Sequence, residues 1–384
     1  MKFEKLENIA EIIAGQSPPS ETYNKDSDGI PFFQGKADFG KMYPTVRYWC
    51  KKPTKIANPN DILMSVRAPV GPVNICNTKS CIGRGLSAIR VKKNFSFEYV
   101  YYYLKVNEKL ISRLGVGSTF SAINQKDIKE IKIPIPEKLE DQIRIATILS
   151  KAEELIAQRK QSISLLDEYL KSLFLEMFGD PVKNEKGLKK IRLEKLGKWK
   201  SGGTPSRKIE NYFNGYIPWI ISGELNQMYI SESKEKISDE AVKNSNASFI
   251  EIGSLLLGMY DTAALKSSIN TKKVTCNQAI AFAKLDDKIC NTIFVYFNIQ
   301  IGRDFYKSQQ RGVRQKNMNL SMIKGLEILF PPLSLQTQFA EIVDKVEKLK
   351  VQYQNSLHEL QNLYGSLSQK AFKGELSLNK ETEI

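Results

Sequence analysis

A single histidine, His358, occurs in 384 residues. A Ser-His-Asp or Cys-His nucleophile pair would have to be built on that one residue, and His-rich metal sites are excluded. Cysteine is also sparse. There are five (Cys50, Cys76, Cys81, Cys276 and Cys290), an odd number with no Cys-x-x-Cys pair, which argues against a secreted disulfide framework. No run approaches the ~20 apolar residues of a membrane span. The opening MKFEKLENIAEIIAGQ alternates charged with apolar residues and is not a signal peptide. A soluble, cytoplasmic protein is expected.

Catalytic and phosphate-binding motifs are missing too. No Gly-x4-Gly-Lys-[Ser/Thr] loop is present, so a P-loop motor is excluded. A methyltransferase that flips its target base needs a polar-Pro-Pro-aromatic loop. Asn58-Pro59-Asn60-Asp61 lacks the second proline and the aromatic, and neither Pro18-Pro19 nor Pro331-Pro332 has the flanking residues in place. Glu232-Ser233-Lys234 could be half of a nuclease site, although such triplets arise by chance in a Lys/Glu-rich chain. The expectation is a chain that is not an enzyme and binds no cofactor or metal.

What is present is an internal repeat. Gly15-Gln16-Ser17-Pro18 is answered by Gly202-Gly203-Thr204-Pro205, and Ile30-Pro31-Phe32 by Ile217-Pro218-Trp219, both at an offset of 187. Asp61-Ile62-Leu63-Met64-Ser65 pairs with Ser254-Leu255-Leu256-Leu257-Gly258 at 193, Gly85-Leu86-Ser87 with Ala279-Ile280-Ala281 at 194, and Ile131-Lys132-Ile133 with Leu326-Glu327-Ile328 at 195. One pair could be chance; an ordered series with a slowly drifting offset is a duplicated unit of about 190 residues.

Each copy begins with about 135 mixed residues. Short apolar runs such as Ile62-Leu63-Met64 and Tyr99-Val100-Tyr101-Tyr102-Tyr103-Leu104, broken by Gly, Pro and Asn, read as short strands with a few helices. A long helix follows. Apolar residues recur at Ile145, Leu149, Ala152, Ile156, Ile163, Leu166, Leu170, Leu173 and Met177, broken only by Arg159. In the second copy they recur at Phe339, Ile342, Val346, Leu349, Tyr353, Leu360, Leu363 and Leu367, broken by Ser356. A seven-residue period predicts a coiled-coil seam. Two like helices, each after its own domain, are expected to pack antiparallel with a domain at either end. The alternative is that each helix lies on its own domain. Prolines 136 and 332 mark the starts, and Gly179-Asp180-Pro181 and Lys373-Gly374 the ends. The expected fold class is α+β, with two mixed α/β domains separated by two long antiparallel coiled-coil helices in a pseudo-two-fold repeat. The expected segments are a domain at 1–136, a helix at 137–180, a linker at 181–190, a second domain at 191–332, a second helix at 333–375 and a polar tail at 376–384.

The formal net charge is +15. Residues 1–136 carry +9 and residues 181–332 carry +10, whereas the helical segments carry −3 and −1. Positive charge concentrated in two repeated domains suggests two equivalent polyanion-binding surfaces, because Lys and Arg neutralise phosphates and release counterions. The plainer alternative is a solvated basic face. Loop Ser308–Asn317 is dense in groups able to read bases: Arg311, Arg314, Gln315, Lys316 and Asn317. Its counterpart offers Ser118, Thr119, Asn124 and Lys126; either loop could also be an ordinary surface turn. Further candidates are Gln34, Lys36, Arg67 and Arg84, with Ser222, Glu224, Asn226, Tyr260 and Gln278 in the matching stretches. Arg67 and Arg84 could equally be surface ion-pair partners. Two domains of one fold with different loops would read two short sequences, and a spacer would set the gap between them.

These residues together carry a family resemblance. A Gly-x-[Ser/Thr]-Pro opening, an Ile-Pro-aromatic strand and a polar Gly-rich loop come first. The exit follows, Ile131-Lys132-Ile133-Pro134-Ile135-Pro136, then a helix beginning with Gln142. In the second copy the exit is Glu327-Ile328-Leu329-Phe330-Pro331-Pro332, with Gln336 and Gln338 and with Phe330 replacing a proline. The order resembles the specificity (S) subunit of type I restriction–modification systems (the HsdS family) over nearly the whole chain. The resemblance implies two target recognition domains and a non-catalytic role on double-stranded DNA. It further implies two modification (methyltransferase) subunits as partners, with restriction (translocase/nuclease) subunits as an addition, and S-adenosylmethionine, ATP and Mg in those partners. Leu155, Leu165, Phe174 and Leu357 lie off the seam and are candidate contacts for partners or for the neighbouring domains. The alternatives are a specificity subunit serving a fused nuclease–methylase, a coiled-coil scaffold holding two interaction domains, and an enzyme with a cryptic nuclease site.

Overall fold

The computed structural model describes residues 1–115, 122–308 and 317–376. They form two compact units: Met1–Lys160 with the segment from Asn355 on, and Gln161–Gln354. The unit boundaries fall inside two long helices, Leu139–Phe178 and Leu333–Lys373. Each unit is therefore one mixed α/β domain plus a part of both helices.

In the first unit, buried apolar runs form a four-stranded antiparallel sheet in the order Ala10–Ala14, Leu86–Val91, Ile62–Ser65, Val73–Ile75. A second, five-stranded sheet includes Ile30–Phe33, which pairs in parallel with Ser80–Ile82 through Phe32 and Cys81. Lys2–Lys5 pairs antiparallel with Lys132–Ile135, so the domain closes where its chain enters and leaves. The second unit repeats this plan. Leu255–Gly258 lies between Ile280–Ala283 and Ser267–Asn270, Ile217–Ile220 pairs in parallel with Thr275–Cys276, and Lys190–Arg192 pairs with Glu327–Leu329.

Of the apolar runs read as short strands with a few helices, Ile62-Leu63-Met64 lies in the strand Ile62–Ser65 and Tyr99–Leu104 is helical within Phe97–Val106. The Ser96 hydroxyl oxygen caps it by accepting from the Tyr99 N–H at 3.2 Å, and the tyrosines reach a core that includes Leu6, Ile62 and Ile133. A cap and tertiary burial outweigh the β preference of the aromatic residues. Its counterpart, Thr292–Ile301, is capped by Asn291, which accepts from Ile293 N at 2.9 Å.

The long helices run antiparallel within each unit. In the second unit Asp167 meets Lys350 at 2.5 Å, while Phe174, later in its helix, meets Phe339, earlier in the other. In the first unit Ile145 and Leu149 share a core with Ala371 and Phe372. The two packing modes considered for the helices coexist, because the same residues that face the other helix also enter the domain core. Phe174 and Phe178 contact both Phe339 and Phe294 of the domain helix. The buried stripe is accordingly wider than a seam. Leu363, expected in it, is 51% exposed, and Tyr364 turns inward instead.

A buried glutamine locks each domain to its helix. Gln142 Oε1 accepts from Ser96 N at 3.0 Å, and its Nε2 donates to Pro136 O at 3.2 Å. Gln336 Oε1 accepts from Asn291 N at 2.9 Å, and its Nε2 donates to Pro331 O at 2.8 Å. One side chain thereby satisfies the N-cap residue of the domain helix and the carbonyl of the exit proline. Of the two second-copy glutamines, Gln336 rather than Gln338 takes this place.

Candidate nucleic-acid interface

In the first unit four chain segments converge at one corner of the sheets. The Gly83 N–H donates to Phe33 O at 2.8 Å, Val66 N to Gly85 O at 3.0 Å, and Ile123 N to Val66 O at 3.0 Å. Arg67 forms an isolated bridge with Ala122. A fifth segment joins through Gln16 N, which donates to Ile82 O at 3.0 Å, and through Ser17 Oγ, which accepts from Arg84 N at 3.4 Å. A Cβ on Gly85 would collide with the carbonyl oxygen of Gln34, so only glycine lets these two turns pack. The result brings Gln34, Arg67 and Arg84 together, all exposed, with Lys36 one turn on. Among the described residues neither Arg67 nor Arg84 forms an ion pair.

The second unit repeats the scaffold bond for bond. Asn277 N donates to Ile220 O at 3.0 Å, Met259 N to Ala279 O at 2.9 Å, and Met318 N to Met259 O at 2.8 Å. Tyr260 bridges Asn317. A Cβ on Gly202 would collide with the carbonyls of Cys276 and Asn277. The corner presents Ser222, Tyr260 and Gln278, with Asn317 adjoining. The Thr204 hydroxyl donates to Gln278 Oε1 and holds that amide.

Other candidates have different employment. Asn124 caps the short helix Gln125–Lys129: its Oδ1 accepts from Lys126 N at 2.8 Å and Asp127 N at 3.1 Å. Lys126 is exposed on that helix. Asn226 donates to Gly223 O at 2.8 Å and accepts from Lys266 Nζ at 2.6 Å, so both ends of its amide are engaged within the fold. Glu224 is bound to backbone N–H groups of Ile221 and Lys234. Ser118, Thr119, Arg311, Arg314, Gln315 and Lys316 lie outside the described residues. Phe174 is fully buried rather than a partner contact, whereas Leu155 and Leu165 are half-exposed.

The groups considered for chemistry are occupied or neutral. Glu232 pairs with Lys272 at 2.8 Å and Lys236 at 3.4 Å. Burial pushes the Cys290 thiol up to about 12 and raises those of Cys76, Cys81 and Cys276, so these thiols stay protonated. His358 lies exposed on its helix, 3.1 Å from the Asn362 amide. Among the described residues no helix is long and apolar enough to cross a membrane.

Two site features escape a sequence reading. Asp38 is 2% exposed. Its Oδ2 accepts from Gln34 N at 2.6 Å and Gly35 N at 3.2 Å, and its Oδ1 from Arg47 Nε at 2.9 Å. Arg207 stacks 4.3 Å from the Phe213 ring and 5.1 Å from that of Trp219, a buttress of the second corner. The Gly83-Arg84-Gly85 triplet was a legible signal for a close turn; the carboxylate beneath it was not.

A family model for the type I restriction modification DNA specificity domain matches residues 1–165 and 185–360. A Methanocaldococcus jannaschii chain assigned as the MjaX type I restriction enzyme specificity subunit is 45% identical over 171 residues, 44% of this chain and 39% of that one. That match thus covers well under two thirds of the relative's length. The MjaIX type I restriction enzyme specificity subunit of the same organism is 25% identical over 406 residues, covering 98% of this chain and 93% of its own. The crystal structure of a type I restriction–modification S subunit from M. genitalium superposes with a TM-score of 0.63 at 16% identity, over 97% and 96% of the two chains. That likeness speaks for the fold.

Proposed function

We propose, from the premise that this chain belongs to the type I restriction–modification DNA specificity family, that it is the non-catalytic subunit that selects the DNA target. Residues 1–136 and 191–332 act as two target recognition domains, each reading one half of a bipartite duplex site. The observation that carries this reading is the corner scaffold. The same backbone hydrogen bonds recur in both units, yet one presents Gln34, Arg67 and Arg84 and the other Ser222, Tyr260 and Gln278. A common frame with different side chains is what two half-sites of different sequence require, since base edges are told apart by donor and acceptor pattern. Surrounding lysines bind phosphates without regard to sequence.

Double-stranded DNA and other restriction–modification subunits are the partners. Two methyltransferase subunits dock on the long helices, where Leu155 and Leu165 are half-exposed, and the helices set the gap between half-sites. S-adenosylmethionine, ATP and Mg belong to those partners, restriction subunits joining where cleavage occurs. The site of action is the cytoplasm. The test is a genome-wide map of adenine methylation with the gene present and deleted. Loss of one bipartite motif on deletion supports the reading; an unchanged map in cells whose modification subunits are active refutes it.

A further inference from the structure

We infer that Asp38 and Glu224 are positioning residues for half-site selection, each setting the reading corner of its own unit; the inference rests on the function proposed above. Both follow the strand that ends at the corner, Ile30–Phe33 in one unit and Ile217–Ile220 in the other. Both close a single 3₁₀ turn, Lys36–Asp38 and Ser222–Glu224. Each turns its carboxylate back onto the loop it ends. Asp38 holds Gln34 N and Gly35 N. Glu224 Oε2 holds Ile221 N at 3.0 Å, and its Oε1 holds Lys234 N at 2.8 Å. Different residues thus perform one task at one place in the repeat.

The position explains the need. A carboxylate near a phosphate backbone repels it unless its charge is answered inside the protein. Asp38 is answered by Arg47, which meets it at 2.5 Å as well as through Nε. Fixing Gln34 then fixes more than one reader, because Gly83 N bonds Phe33 O and the Gly85 turn packs on the Gln34 carbonyl. Arg84 sits between those two glycines. One buried carboxylate therefore aligns Gln34 and Arg84 together. Base discrimination depends on donors held in one geometry, so loosening the loop blurs the choice of base before it abolishes binding.

The experiment uses cells in which the full chain is replaced by Asp38→Ala, Asp38→Asn, Glu224→Ala or Glu224→Gln, with adenine methylation mapped genome-wide. Asp38→Ala is expected to raise methylation about tenfold, relative to cognate sites, at sites mismatched in the half-site read by residues 1–136, with selection at the other half-site unchanged. Glu224→Ala is expected to do the reverse. Asp38→Asn and Glu224→Gln keep one acceptor oxygen and are expected to fold and show a smaller, equally one-sided relaxation. A purely structural role would lower methylation at all sites without altering preference, and that outcome overturns the inference. Unchanged maps in the conservative and alanine variants alike also overturn it. A wild-type chain that directs no bipartite methylation refutes the underlying function instead.

Discussion

Replacing Gln336 with methionine tests how domain and helix are joined. The substitution nearly conserves volume, so it removes hydrogen bonding with little cavity cost. Gln336 is fully buried, and its amide is the partner of both Asn291 N–H at 2.9 Å and Pro331 O at 2.8 Å. Losing it leaves the part-buried Asn291 N–H and the buried Pro331 carbonyl without their partner. Each costs about 1–3 kcal/mol, so the second unit should lose roughly 2–6 kcal/mol. At ~2–4 °C per kcal/mol for a body of this size, its thermal transition should fall by about 4–24 °C. Hydrogen exchange localises the effect: the Asn291 amide should lose protection. Gln142→Met should do the same to the Ser96 amide in the first unit. A Gln336→Met protein whose stability lies within about 0.5 kcal/mol of wild type, with Asn291 still protected, would refute the lock.

Arg84→Ala should weaken DNA binding by the assembled complex and relax selection at one half-site, since the side chain is exposed at the corner and unpaired among the described residues. If Arg84 instead meets only a phosphate, the slope of log affinity against log salt should fall by ~1 with preference unchanged. Exchanging residues 1–136 for the matching domain of a relative should alter one half of the methylated motif; a change in both halves would rule out independent readers. Stability should fall as pH rises from about 10 to about 12. Burial raises Tyr306 from 10.0 to about 12, with the charge of Asp180 adding to the effect. Its contribution is whole below the unfolded value near 10 and is lost through the folded one, roughly 2–3 kcal/mol in all. Tyr306→Phe should make that limb shallower by about this amount, read from unfolding at a series of pH values.

The sequence by itself determined what is local or periodic. The duplication, the two helices and the partition of positive charge are all visible without coordinates, because each depends on residue type at a spacing. Of the candidate readers, Gln34, Arg67, Arg84, Ser222, Tyr260, Gln278 and Asn317 were legible because the repeat aligned the stretches that hold them. Only the tertiary structure decided which residues share a corner, since the segments that hold Arg67 and Arg84 are joined by the hydrogen bond from Val66 N to Gly85 O. It also decided employment. Asn124 and Asn226 look like free amides until their cap and loop partners appear, and Asp38 gives no sign that it closes a turn beneath Gln34. Phe174 lies off the heptad yet is buried, because its helix faces a domain as well as another helix. Periodicity reports one packing direction at a time; where two neighbours press on one helix, only their positions say which face is inside.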